Sequence, residues 1–537
     1  MTESTLDAAA IESFQMVGQD LPHLLDQWVE SQPDTALLVW EPRDGATRTW
    51  TYREFRDETL EIAAGLIARG VQLGDRVLIH ADNCPEMVLA WYACARVGAV
   101  GVTTNTRSVA NEVAYFADHT KAVGAITQPQ FAALVAEAAP QLGWMVVTDD
   151  DGGEAPTADV PAAAGSWAEL HGDASSVTTR PADPMLPVGV MFTSGTTSLP
   201  KAVVHTHANA IWTSRVGPRN IDARPGDTYL IYLPFFHVNA QTWSMWSMLG
   251  VGGTVVLQPK FSASRFWEVV ERHSVTHISL IPFVFKALGG QPVPEHTIRV
   301  GVFGLVMPML EGWLNLRVLP AYGMTETVIH AIHAPMHHPF PDRTMGWPTP
   351  GYEAMVVDPD TGSVCGPEEI GELWMRGVRG IQLFLEYLDN PEANEKAFTD
   401  DGWFRTGDMV KVDDAGRFFY QERDKDLLKV GGENVSARQV EDTCREIGGI
   451  ADIAVVGRSH EMLDQVPVVF IIKGADAPED ETAHGQAIMD HCADQLADFK
   501  VPRAVHFVDE FPRATLDKVA KNKLRDLADE LAAADGS

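Results

Sequence analysis

From its first helical stretch to about residue 424, the chain alternates amphipathic helical patterns with short β-rich runs. Residues 52–69 and 85–97 repeat apolar side chains at helical spacing. Residues 76–79, 188–192, 228–232, 253–257 and 277–281 are short strand-like runs. Strands separated by helices must be layered, so the pattern predicts an α/β architecture. The Ala/Gly/Asp-rich stretch 149–176 breaks it and reads as a surface loop with little to bury. Near Asp424 the texture changes. Residues 426–430 form a strand-like run closed by Gly431-Gly432, and Ser436-Ala437-Arg438-Gln439 has the spacing of a capping box. Strands at 453–456 and 467–472 and a helix at 481–497 complete a compact α+β unit. The expectation is a large multi-sheet N-terminal domain, 1–424, and a small C-terminal domain, 425–537.

Composition narrows the function. With 45% apolar and 21% charged residues the chain can build a core. Its formal charge of −33 argues against nucleic acid or an anionic membrane surface as partner. Five cysteines, none in a CxxC, fit neither a disulfide scaffold nor a zinc site. Neither a signal peptide nor an apolar run of membrane-spanning length is seen, so a cytoplasmic protein is expected. Positive charge is scarce and concentrated: of 13 lysines, Lys425, Lys429, Lys473, Lys500, Lys518, Lys521 and Lys523 lie in the last fifth of the chain. A small domain so supplied is suited to bring cations to an anionic site.

Residues 192–201 hold the densest chemical signal. Thr193, Ser194, Thr196, Thr197 and Ser198 surround Gly195 between two strand-like runs, and Lys201 closes the segment. Such a loop offers N–H groups, hydroxyls and one full charge to phosphate oxygens. It is not a Walker A loop, because Pro200 and Ala202 stand where Gly and Ser/Thr are required.

This segment resembles the signature of the adenylate-forming superfamily of acyl-CoA synthetases, luciferases and peptide-synthetase adenylation domains. Further motifs follow in that superfamily's order: Tyr322-Gly323-Met324-Thr325-Glu326, the run 401–408 ending in Asp408, Arg423-Asp424-Lys425-Asp426, Gly431-Gly432-Glu433-Asn434, 499–503, and 511–519 carrying Lys518. The nearest branch resembled is the crotonobetaine/carnitine-CoA ligases. The resemblance implies an ATP-dependent acid–CoA ligase working through an acyl-adenylate, with a mobile C-terminal domain. Its rivals are an adenylating enzyme that passes the acyl group to a carrier protein, and a nucleotide-binding protein without catalysis. The substrate would be a medium-chain, bulky or carnitine-like acid.

Residue roles carry over by position. Lys518, Glu326, Thr325 and His237 are the expected catalytic set, with Glu326 holding Mg²⁺. Thr193, Ser194, Gly195, Thr196, Thr197 and Lys201 would cradle the leaving pyrophosphate. Tyr322 would stack on adenine, while Asp408 and Arg423 anchor the ribose. Lys425 would be the hinge, and Gly431 and Gly432 would pass close to the pantetheine arm of CoA. A carboxylate attacking a phosphate is anion meeting anion, which requires such cations in a dry site. His330, His333, His337 and His338 are read as loop and pocket wall rather than a metal set. Trp243, Trp246, Val306, Met307 and Met309 are the expected apolar lining of the acid pocket. The small-molecule acid, ATP and CoA are the implied partners, and a homodimer is allowed for.

Overall fold

The computed structural model describes residues 8–535 except 44–45, 157, 194–198, 338–339, 360, 422–426 and 513–518. Its architecture is mixed α/β, with two large sheets in the N-terminal domain and a five-stranded sheet in the C-terminal domain.

One N-terminal sheet is parallel at its centre. Pro187–Thr193, Val100–Thr103, Arg76–His80, Gly124–Thr127 and Met145–Val147 lie side by side in that order. These strands are covered on both faces, so they read as continuous apolar runs such as Val77-Leu78-Ile79. Trp91, on the helix Pro85–Val97, lies flat against them because of two glycines. A Cβ at Gly101 would sit 2.4 Å from its ring, and one at Gly189 3.1 Å. The second sheet is parallel from Ala36–Trp40 through Arg317–Tyr322. It then continues antiparallel from Ile332–His333 to Glu353–Val357.

Pro187–Thr193 and Lys201–Thr206 pair as an antiparallel hairpin with Thr193 opposite Lys201. The two described ends of the hydroxyl-rich segment, Thr193 and Lys201, are thereby set opposite each other. Immediately afterwards, Thr206 caps the helix His207–Asn220 by accepting from Asn209 N–H at 3.1 Å. The Asn209 amide donates to the carbonyls of Ile381 (2.8 Å) and Leu383 (2.9 Å). One capping residue therefore fastens a distant loop beside the hairpin.

The stretch 149–176 departs from its expected emptiness. Its end buries Trp167 and Leu170. Gly65 on the helix Tyr52–Ala68 lets the Leu170 backbone approach so closely that a Cβ there would overlap the carbonyl oxygen. In the C-terminal domain the helices Ala437–Arg445 and Glu481–Gln495 form a core with one set of sheet residues, including Val455 and Val469. The helix Lys521–Asp535 belongs to a second cluster with Val456, Phe470 and Phe511. Among the described residues no helix is long and apolar enough to cross a membrane.

Candidate active site

Strand ends from both N-terminal sheets converge on one region. Tyr322 ends the strand Arg317–Tyr322, and its hydroxyl donates to Asp408 Oδ2 at 2.6 Å. Asp408 is buried within the strand Trp403–Val412, and its other oxygen accepts from Tyr420 at 3.5 Å. Two of the three predicted nucleoside contacts, Tyr322 and Asp408, are thus side by side. A carboxylate that can accept on both oxygens suits vicinal hydroxyls.

Beyond Tyr322 the backbone is bent sharply. A single 3₁₀ turn, Thr325–Thr327, is followed by Val328 at φ 66°, ψ −49°, with Ile329 N–H donating to Thr327 O at 2.7 Å. This is a γ-turn at a β-branched residue, which costs on the order of 1–3 kcal/mol. The surroundings enforce it. Thr242 donates its hydroxyl to Val328 O, and His205 Nε2–H donates to Thr325 O at 2.8 Å. Burial holds the His205 ring neutral, its pKa pushed down to about 4.

The turn aims Glu326 inward. It is 4% exposed, and the Tyr387 hydroxyl donates to its Oε1 at 2.9 Å. Tyr387 is placed by strand pairing with Val203, two residues from Lys201. The Lys201 ammonium lies 4.6 Å from the centre of the Tyr387 ring. Three segments far apart in sequence thus bring the loop lysine and the glutamate to the same tyrosine. Neither Tyr387 nor His205 was found by sequence reasoning; a tyrosine in a two-residue edge strand carries no pattern.

Thr193 is the described start of the phosphate loop; Ser194, Gly195, Thr196 and Thr197 lie outside the described residues, as do Arg423, Lys425 and Lys518. The segments flanking Lys518 are fastened together: Ala520 N–H donates to Pro512 O at 2.7 Å, and Phe511 packs with Leu524.

His237 meets the C-terminal domain. Its Nε2 lies 3.1 Å from Glu433 Oε2 and 3.2 Å from Oε1. Glu433 follows Gly431 and Gly432, whose φ values of 61° and 90° favour glycine. A Cβ on Gly432 would come 3.3 Å from Ile281 of the N-terminal domain. Burial opposes charge on His237, but Glu433 overrides it and raises the imidazole pKa above its ordinary value. Burial likewise opposes charge on Glu433, yet His237, Arg107 and Lys500 hold its carboxyl below the usual range. Around this contact Arg107 grips Asp498 at 2.6 Å and Lys286 pairs with Asp464 at 2.8 Å.

The expected acid-pocket lining needs correction. Trp246 is fully buried in the core, 5.9 Å from Trp91, because Asn239–Trp246 is a π-helix whose wider turn rotates it inward. Met309 points outward at 76% exposure, at the start of the short helix Pro308–Leu314. Trp243 does approach the site: a Cβ on Gly323 would lie 2.8 Å from its ring. His330 packs against Trp243 with ring centres 4.6 Å apart, and His333 Nδ1 lies 2.8 Å from the Thr349 hydroxyl. His338 is outside the described residues. Two clefts of about 550 and 580 Å³ run along the helix His207–Asn220 and include none of the motif residues.

Sequence profiles of two kinds match the chain: AMP-binding enzyme over residues 25–388, and AMP-binding enzyme C-terminal domain over 439–518. The chain belongs to the AMP-binding enzyme family. Crotonobetaine/carnitine–CoA ligase of Proteus mirabilis is 31% identical over 530 residues, spanning 94% of this chain and 99% of the relative. A relative of the same name from Citrobacter koseri is 31% identical over 533 residues, spanning 95% of this chain and 99% of the relative. A doubly substituted o-succinylbenzoate CoA synthetase (MenE) from Bacillus subtilis, bound with the product analogue OSB-NCoA, superposes with a TM-score of 0.79. It has 26% identity and covers 95% of this chain and 99% of that one. The same enzyme in complex with its acyl-adenylate intermediate gives 0.66, at the same identity and coverage.

Proposed function

We propose that this acyl-CoA ligase joins a medium-chain, bulky or carnitine-like carboxylic acid to CoA in two steps, forming acyl-AMP and pyrophosphate and then acyl-CoA and AMP. The observation that supports the second step is the Glu433–His237 contact, with Gly432 close beside Ile281 of the N-terminal domain. The greater likeness to the synthetase bound with a CoA product analogue, 0.79 against 0.66, supports the same reading. CoA is therefore preferred to a carrier protein as the acceptor. Reduced, mostly buried cysteines and a need for ATP and CoA fit a cytoplasmic setting.

In the first step an acid oxygen attacks the α-phosphorus and pyrophosphate leaves. Thr193, Lys201 and the rest of the hairpin loop hold the leaving group. Thr325 hydrogen-bonds the α-phosphate, Tyr322 stacks on adenine, Asp408 and Arg423 take the ribose, and Lys518 offsets the mutual repulsion of the reacting anions. Glu326 and the surrounding hydroxyls are a hard, all-oxygen donor set, which fits Mg²⁺ bound through one carboxylate and the substrate phosphates. When bound, that ion would neutralise phosphate charge.

The second step needs a different face of the C-terminal domain. With a boundary at 424/425 and Lys425 as hinge, the domain withdraws Lys518 and presents Gly431–Gly432, and the CoA sulfur replaces AMP on the acyl carbon. Gly304, where an added Cβ would meet nothing within 4 Å, and the Trp243 ring support an acid of some bulk. The test is pyrophosphate release with Mg·ATP across short, medium, aromatic and betaine acids, with and without CoA. CoA-stimulated release with acyl-CoA seen by mass spectrometry is expected. Adenylate that accumulates without thioester would shift the acceptor to a carrier protein.

A further inference from the structure

Among the described residues, the polar pairs between the two domains are mostly exposed, and Lys500–Glu112 is the most buried of them. Lys500, in the turn that follows the helix Glu481–Gln495, reaches across and donates to Glu112 Oε1, and both residues are only 6% exposed. Glu112 lies in the first turn of the helix Ala110–Thr120, and its Oε2 accepts from Val109 N–H at 3.3 Å. Its carboxylate is thus oriented from within its own domain before Lys500 arrives. The neighbouring pairs differ: Arg107–Asp498 has side chains 41% and 70% exposed, and Lys286–Asp464 33% and 28%. Exposed pairs are screened by salt and tolerate a change of angle. A buried pair does not, because any orientation that keeps the two surfaces together but parts the charges leaves a bare ion in a dry interface.

We propose that Glu112 and Lys500 are a positioning pair for thioester formation: their salt bridge selects the one docking angle of the C-terminal domain at which Glu433 meets His237. Neither side chain touches the reacting atoms. The pair acts through Glu433, whose carboxylate feels the positive charge of Lys500 and of Arg107. When the domain turns to bring Lys518 to the phosphate, both groups return to water, so the pair weighs on one half-reaction only. This inference rests on the two-step reading above.

The experiment measures the half-reactions separately in E112Q, K500M, E112D and the double variant E112Q/K500M. Adenylation is followed by pyrophosphate exchange, and thioester formation by single turnover of preformed acyl-adenylate with CoA. The single variants are expected to slow thioester formation at least tenfold and to leave exchange within threefold of the wild type. The double variant, which buries no bare charge, should regain most of that loss. E112D keeps both charges while shortening the reach, so it folds even where the others fail and should show the same one-sided loss at smaller size. An equal fall in both steps, no fall in either, or a double variant as slow as the singles would overturn the pair's role. The two-step reading has its own control. The Asn111 side-chain amide donates to Gln495 Oε1 at 3.1 Å across the same contact, so N111C/Q495C joined by a short bifunctional thiol cross-linker should stop exchange while permitting thioester formation. If the cross-linked variant runs both steps alike, the alternation itself is wrong, whatever Glu112 does.

Discussion

His237 and Glu433 each carry an ionisation displaced by the other. Glu433 raises the His237 pKa, so the stabilisation from the charged imidazole is fully present below about 6.5, the ordinary histidine value, and is lost as pH rises through the raised one. Glu433 is depressed, so its contribution is present above the ordinary glutamate range and is lost only as pH falls through the lower value. The pair is therefore charged between the two values and is lost on the alkaline side as His237 gives up its proton and on the acid side as Glu433 takes one up. Titrating His237 by NMR should give a midpoint above 6.5 in the wild type. In Glu433→Gln that midpoint should fall below the ordinary value, because burial is then the main influence left. A midpoint unmoved by the substitution would mean that the contact does not persist in solution. Lys518→Ala makes a simpler demand: ATP affinity retained within a fewfold and acyl-AMP formation lost. Adenylation at wild-type rate would remove Lys518 from the mechanism.

At the scale of elements, the strained turn after Tyr322 depends on close packing rather than on its own sequence. Gly323→Ala places a methyl 2.8 Å from both the Ile329 carbonyl and the Trp243 ring. It should lower adenylation by at least tenfold while circular dichroism stays unchanged, and normal kinetics would show that the turn yields easily. Asn209→Ala leaves the Thr206 cap but removes the acceptor for Thr206 N–H and two buried bonds to the 381–383 loop, a loss of about 2–4 kcal/mol in chemical denaturation. The regular elements here were legible: predicted strands and helices fall within a few residues of those found, because short apolar runs and 3.6-residue spacing report burial directly. Lys201 and Glu326, singled out by motif and chemistry, are brought to one tyrosine. What escaped notice was whatever depends on contact between remote segments. No local pattern signals that Tyr387 bridges those two residues. The π-helix inverted the reading of Trp246, because one widened turn shifts every later side chain around the axis. Trp167 and Leu170 were misjudged for a related reason: their burial is decided by a glycine in another helix.

At the scale of the whole molecule, an acidic chain concentrates lysines in the domain proposed to carry charge to phosphate, and Lys425 is proposed as the hinge on which that domain turns. Lys425→Pro should preserve pyrophosphate exchange and abolish thioester formation, while parallel loss of both would place the pivot elsewhere. The two tyrosines on Asp408 bear on the cycle as a whole. With the ribose on Asp408 as proposed, nucleotide entry exchanges tyrosine hydroxyls for sugar hydroxyls, and departure reverses the exchange without stranding a naked carboxylate. On that reading the exchange would work against tight retention of spent AMP. The resting protein supplies its own surrogate for the departing product, an arrangement that favours rapid clearing of the site over strong holding.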